Sequence, residues 1–229
     1  MDKVKVIAID GPSGAGKSSV SRIVGERLGF LHVDSGALYR IVTWLALEAK
    51  IDTSNPEAVA AFADGVQIEC RSEGGSIAFY VCGEAPGNRI RTPAINAHAS
   101  QVASVKEVRE RITAILRGLV KFGNLVVEGR DITTAVFPDS PARFYLTASP
   151  EARARRRQRE EIEKGIANQT AEEVKKSLLA RDMVDSSRKY APLRKAYGAL
   201  EIDSSELSLE SVVELVMTAL PPTWRTSAR

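Results

Sequence analysis

The chain has 229 residues, 44% of them hydrophobic, with 32 basic and 29 acidic side chains and a formal net charge of +3. That length suits one globular unit, or a core with a modest insertion, and the charge is too balanced to mark a duplex-binding surface. No apolar run approaches the roughly 20 residues that span a bilayer. No secretory leader precedes the first strand, and Cys70 and Cys82 read as reduced, packed thiols, so a cytoplasmic chain is expected.

Strand and helix signals alternate along the chain. Val4–Asp10 is an almost continuous apolar run, as in a strand buried on both faces. Lys17–Leu28 reads as a helix closed by Gly29, followed by a strand at Phe30–Asp34 and a helix at Ala37–Ala49. Val66–Cys70 and Ile77–Val81 flank Gly74-Gly75 as an antiparallel hairpin. Because a hairpin does not fit inside a parallel sheet, Asp64–Pro93 is expected to be a separate small insertion. A long helix over about Ala97–Lys121, a strand at Leu125–Glu128 and another at Arg143–Thr147 come next. Ser149-Pro150-Glu151 opens a helix, and Thr170 with Glu173 forms a capping-box pattern for the following one. Ala199–Asp203 is the last core strand and Ser208–Ala219 the closing helix, with residues 221–229 expected to fray. This alternation predicts a parallel sheet covered on both faces.

The strongest motif is Gly11-Pro12-Ser13-Gly14-Ala15-Gly16-Lys17-Ser18, a full match to the phosphate-loop pattern between a buried strand and a helix. Its glycines let backbone N–H groups turn toward a polyphosphate, Lys17 supplies a mobile cation, and the Ser18 hydroxyl is placed to ligate Mg²⁺. A glycine-rich turn without a ligand is the bland alternative, and the strand–loop–helix context speaks against it.

Four weaker segments follow. In His32–Arg40, Arg40 reads either as a phosphate partner or as a surface charge, with Asp34 or Ser35 then a helix cap. Glu128-Gly129-Arg130-Asp131 ends a strand, where ligands of open α/β sheets collect, although an Arg–Asp surface pair has the same spelling. Arg181, Asp185 and Arg188 share one helical face, for which a solvated ion pair is the ordinary explanation. Arg153–Arg159 carries five arginines round a helix and reads as a solvated surface, an RNA-binding face or a lid that lands on phosphates.

Taken together these strings resemble the bacterial cytidylate kinase family over about Val4–Leu220: residues 9–17, Asp34–Arg40, Ile90-Arg91-Thr92, Ala99–Ala103, Gly129-Arg130-Asp131, and Arg181 with Asp185, Arg188 and Ala191-Pro192-Leu193. The resemblance implies a five-stranded parallel phosphate-loop kinase core, a monophosphate-binding hairpin insertion at about 64–93 and an arginine-rich helical lid at about 149–170. It implies ATP as donor, Mg²⁺ as cofactor, and CMP or dCMP as acceptor, in a monomer that binds neither nucleic acid nor membrane. The donor is then assigned to Gly11–Ser18, Ser19 and Arg157, and the metal to Ser18 and Asp34. The acceptor falls to Ser35, Arg40, Ser100, Arg109, Arg130, Asp131, Arg181, Asp185 and Arg188, with Lys17, Arg130 and Arg188 acting in catalysis. A kinase for another small molecule, such as shikimate, would not need the hairpin or the Arg181–Arg188 set. An RNA-binding protein using Arg153–Arg159 would show a steep salt dependence instead.

Overall fold

A computed structural model describes residues 4–163 and 170–225. Its seven strands form one sheet in the order β3-β4-β2-β5-β1-β6-β7. β1 (Val6–Asp10), β2 (Leu31–Asp34), β5 (Leu125–Gly129), β6 (Ala142–Thr147) and β7 (Leu200–Asp203) run parallel, which is the five-stranded core expected. β3 (Glu69–Glu73) and β4 (Ser76–Tyr80) are the antiparallel hairpin, displaced by up to three residues from the expected bounds. The hairpin fits an insertion but is joined to the sheet: β4 pairs with β2, the edge strand of the parallel core, through His32 and Ser76. An edge accepts an antiparallel ribbon that a parallel interior would exclude.

Alternation along β1 divides the core. Val6 and Ala8 pack on one face with α2 (Ser35–Glu48), α3 (Pro56–Gly65) and α5 (Lys106–Gly118), while Ile7 and Ile9 pack on the other with α1 (Lys17–Leu28) and α8 (Leu209–Ala219). α4 (Pro93–Val102) lies against α2, and α6 (Pro150–Glu163) against α7 (Ala171–Ser187). The capping box at Thr170 and Glu173 forms as expected.

Several expectations are corrected. The helix expected over Ala97–Lys121 is broken after α4, because Val105 turns extended (ψ 126°) to precede α5. The Ala103 carbonyl released at this break is taken by Arg109 at 2.8 Å. α3 was not anticipated, although Asn55-Pro56-Glu57 carries the cap, first-turn proline and acidic signals used elsewhere. Of the tail expected to fray over 221–229, Pro222–Arg225 instead form α9, with Trp224 buried and its ring centroid 6.3 Å from that of Phe30, and residues 226–229 lie outside the described residues. Cys70 faces Phe79 across the hairpin, and Cys82 lies three residues beyond that partner, so the thiols do not pair.

The sheet order places the phosphate loop. β1 lies between β5 and β6, so the chain leaves β1 toward one side and returns from β5 to the other, opening a crevice at the strands' C-terminal ends. Gly11 begins the loop there at φ 148°, where a Cβ would lie 1.9 Å from the Leu146 carbonyl oxygen. Gly11→Ala therefore combines a strained backbone with a backbone clash, and its thermal denaturation should show a loss of about 3 kcal/mol or more.

Candidate active site

The phosphate loop runs from Gly11 to the N-terminus of α1, with Gly14 and Gly16 at φ 78° and 91°. These left-handed turns aim backbone N–H groups into the crevice and add the helix's positive end. Lys17 is buried and donates to the Pro12 carbonyl at 2.8 Å, folded back across its own loop. Burial pulls its pKa down to about 7, reinforced by Arg130 and opposed by Glu128 and Asp10. Ser18 stands exposed on the first turn of α1.

The loop is braced from both sides by α6. Arg153 is buried, ion-paired with Asp182, and donates to the Ser13 and Ala148 carbonyls at 3.1 Å each. Asp182 also accepts from the Ser13 N–H at 3.4 Å. On the other side Arg156 donates to the Ser204 hydroxyl at 2.9 Å, and that hydroxyl donates to the Ala15 carbonyl at 3.1 Å. Arg153 and Arg156 thus prop the loop, whereas Arg155 and Arg159 are exposed. Residues 164–169 of the expected lid lie outside the described residues.

The acceptor-side candidates come together at the ends of β2 and β5. Arg109 reaches from α5 to Asp131, with NH2 2.5 Å from Oδ2, and its guanidinium carbon lies 5.2 Å from the Tyr39 ring centroid. Asp185, on α7, holds Arg130 at 3.1 Å and lies 3.6 Å from Arg188, whose other nitrogen is 3.9 Å from Asp131. Both Asp185 and Arg188 are buried, so the solvated surface pair suggested by their spacing is not what forms. Arg188 is fixed further by donating to the Ala191 carbonyl at 2.8 Å.

Four guanidiniums (Arg109, Arg130, Arg181 and Arg188) face two carboxylates (Asp131 and Asp185), an excess of two positive charges. Arg181 feels this most. Burial first, then Arg130, Arg40 and Arg157, bring its pKa down to about 10 against the pull of Asp185. Several polar atoms of these arginines and of Arg40 are buried without a hydrogen-bond partner: Arg40 Nε, Arg109 Nε, Arg181 Nε and an Arg188 terminal nitrogen; on α4 the Ser100 Oγ is buried unpaired as well. Orphaned buried donors are costly, so a cluster of them marks a place built for a ligand.

Two expected residues have other work in this structure. Asp34 caps α2 by accepting from the Ala37 N–H at 3.1 Å, and its other oxygen takes Arg40 at 2.6 Å and Arg91 at 3.3 Å. Burial would raise its pKa, but Arg40 and then Arg91 hold it below the usual carboxylate range. The Ser35 hydroxyl donates to the Glu128 carbonyl at 2.6 Å, which commits its proton but leaves its lone pairs.

Sequence reasoning missed Asp10 and Asp182 as parts of the site, and named Glu128 and Arg153 only within their segments, with no task of their own. The visible signal was a carboxylate within the last two residues of each of the apolar strands β1 and β5. Glu128 is buried 3.5 Å from His32, and its negative charge supports the Lys17 cation.

A phosphate loop at a parallel sheet's switch point, facing an arginine cluster across one crevice, defines a phosphotransferase of the phosphate-loop kinase class. Residues 7–221 match the family model described as cytidylate kinase. A cytidylate kinase of Streptomyces avermitilis is 44% identical over 93% of this chain and 91% of its own. One from Shouchella clausii is 41% identical over 92% and 93%. A bifunctional pantoate ligase/cytidylate kinase of Acaryochloris marina is 40% identical, with 94% of this chain lying along 42% of that longer protein. Among solved structures, an uncharacterised protein from Eubacterium ventriosum shares the fold, with a TM-score of 0.53 and 12% identity over 94% of this chain and 97% of its own. The chain belongs to the cytidylate kinase family.

The depressed Lys17 gives the site a measurable signature. A lowered lysine pKa means that the free enzyme near neutral pH is part-deprotonated at Nζ, and a polyphosphate beside it restores the charge. ATP binding at pH 7.5 should therefore take up a fraction of a proton, read from calorimetric heats in buffers of different ionisation enthalpy. The Lys17→Met variant should lose that fraction. Equal uptake in both proteins would mean that Lys17 is already charged before ATP arrives.

Proposed function

We propose that the chain transfers the terminal phosphoryl group of MgATP to the phosphate of CMP, and of dCMP, by direct in-line displacement. The observation that carries this reading is the excess of guanidiniums around Asp131 and Asp185, set across the crevice from Lys17 and lined by buried donors without partners. Two polyanions must meet for transfer, and their repulsion is the obstacle. Lys17, the loop amides and the converging arginines neutralise it, so positioning and charge stabilisation do most of the catalysis. The acceptor is already anionic, and no protein nucleophile or general base is required.

In this reading the candidate residues divide the labour between acceptor phosphate, base, ribose and donor. Arg130, Arg181 and Arg188 supply planar forks for the acceptor phosphate, with Arg40 released from Asp34 to join them. Arg130 and Arg188 reach the transferred group in this assignment, alongside Lys17. Asp131 accepts the cytosine N4 amino group, with Arg109 and Ser100 at N3 and O2. Asp185 receives a ribose hydroxyl and Ser35 accepts from the acceptor. The donor lies on Gly11–Ser19, with Arg157 closing over it from α6. That closure excludes water and limits ATP hydrolysis.

The residues present fit a magnesium ion held mainly by phosphate oxygens and water. Ser18 offers one exposed hydroxyl, and among the described residues no group of three or more His, Cys, Asp or Glu could hold a metal. Bound there, Mg²⁺ would neutralise charge on the donor phosphates. Asp34 would help hold the ion through water, were Arg40 and Arg91 to turn to phosphate. One chain carries both halves of the site, so a monomer suffices, and we place it in the cytoplasm with its nucleotide pool.

A coupled ADP-release assay with CMP, dCMP, UMP, AMP and shikimate tests the reading. CMP and dCMP should turn over at least tenfold faster than AMP, and shikimate should add nothing to the ATP-only rate. If AMP matches CMP, the cytidine assignment fails. Asp131→Asn replaces one acceptor oxygen with a donor opposite the N4 amino group. It should cost tenfold or more in kcat/KM for CMP with ATP affinity within twofold of the parent. Equal losses in both would place Asp131 outside the base pocket.

A further inference from the structure

Asp10 is fully buried at the end of β1, one residue before the phosphate loop, and the mechanism above gives it no task. Its side chain leaves β1 on the same face as Ala8, away from α1. There it accepts three hydrogen bonds: from the Ile132 N–H at 2.8 Å, the Thr133 N–H at 2.7 Å and the Thr133 hydroxyl at 2.6 Å. Ile132 and Thr133 open the single turn of π-helix that follows Arg130 and Asp131, and the Asp131 carbonyl accepts the N–H groups of Thr134, Ala135 and Val136 within it. In register, Asp10 lies beside Gly129 of β5 and Tyr145 of β6.

We propose that Asp10 is a positioning residue for the acceptor: its carboxylate, anchored in the strand that launches the phosphate loop, fixes the turn that carries Arg130 and Asp131. Donor and acceptor groups 120 or so residues apart in sequence are thereby held in one rigid frame, because three short bonds to one carboxylate leave the turn no room to slide. Such a frame suits in-line transfer, in which a misplacement of about 1 Å costs on the order of a hundredfold in rate.

The arrangement requires an ionised carboxylate, since a proton on Oδ2 would displace one of the two Thr133 donors. Burial pushes the Asp10 pKa up to about 6, the Thr133 hydroxyl opposes that, and the nearby Asp131 adds to it. The charged and titratable groups that face Asp10 are Asp131, Lys17 from α1 and Tyr145 from β6. The sign is that of a raised acid. The clamp is complete above the folded-state value of about 6 and is lost as pH falls through it, whereas an ordinary aspartate would hold to about 4.

The inference rests on the acceptor reading given above, and the experiment separates the two. Asp10→Asn should raise KM or lower kcat for CMP, with at least a tenfold loss in kcat/KM, while affinity for a non-hydrolysable ATP analogue without CMP stays within twofold. Thr133→Val, which removes one of the three bonds and no charge, should move the same quantity in the same direction by about threefold. It serves also if the Asn variant does not fold. In the wild-type protein without nucleotide, the amide NMR signals of Ile132 and Thr133 should titrate with a midpoint near pH 6, and in Thr133→Val the Ile132 signal should titrate at a shifted midpoint. If the wild type shows no CMP-dependent ADP release, the acceptor reading fails. If it does, and both variants keep wild-type kinetics for CMP or lose ATP affinity equally, the positioning role is overturned while the kinase stands.

Discussion

The structure depends on holding like charges together before a ligand arrives to neutralise them. Arg109, Arg130, Arg181 and Arg188 crowd round two carboxylates, Lys17 lies within electrostatic reach of Arg130 and Arg181, and Arg40 approaches from α2. Left to themselves these cations would disperse into water. The fold prevents that by spreading their anchors over different elements. Arg109 is tied to the carbonyl at the α4–α5 break, Arg188 to the Ala191 carbonyl, Arg130 to Asp185 on α7, and Arg40 to the carboxylate that caps its own helix. Each anchor uses only part of a guanidinium. Several of the remaining donors are buried without a partner, which an anion would satisfy together.

The cost of that arrangement is carried by the sheet. β1 and β5 are buried on both faces by the two hydrophobic clusters, and each carries a carboxylate at or next to its C-terminal end, Asp10 and Glu128. These charges do different things. Glu128 sits near His32 and supports the Lys17 cation, whereas Asp10 takes three donors from the next turn of chain. α6 braces the phosphate loop through Arg153 and Arg156, so the helix whose sequence reads as a solvated surface, an RNA-binding face or a lid also forms part of the loop's wall. An arginine-rich helix thus divides its residues by face, some buried as struts and others exposed.

What could be read in the residues follows the range of the interactions. The phosphate loop, the Gly29 stop and the Thr170–Glu173 capping box are decided within a few residues of chain, and all three form as their patterns indicate. The break at Ser104-Val105 carries no glycine or proline, and rests on Arg109 reaching back to Ala103 once α5 is packed. The hairpin's place depends on which strand is left at the edge of the parallel core, a property of the whole topology. Spacing put Arg181, Asp185 and Arg188 on one helical face but could not say which way that face turned. Burial of Asp185 and Arg188 is a consequence of α7 settling over the ends of the strands.

The sequence alone therefore determined the donor side of this kinase and its family, because both are written in short contiguous strings whose chemistry needs no distant partner. The family resemblance named acceptor candidates, but only the tertiary structure decided how they meet. Arg109, Asp131 and Arg188 meet from three separate elements, and Asp10 clamps Ile132 from 122 residues away. Contacts of that length are set by the order of the strands and the packing of two cores, which no local spacing encodes. The phosphate loop could be read as a cradle from its own residues, but what faces it across the crevice is a product of the fold.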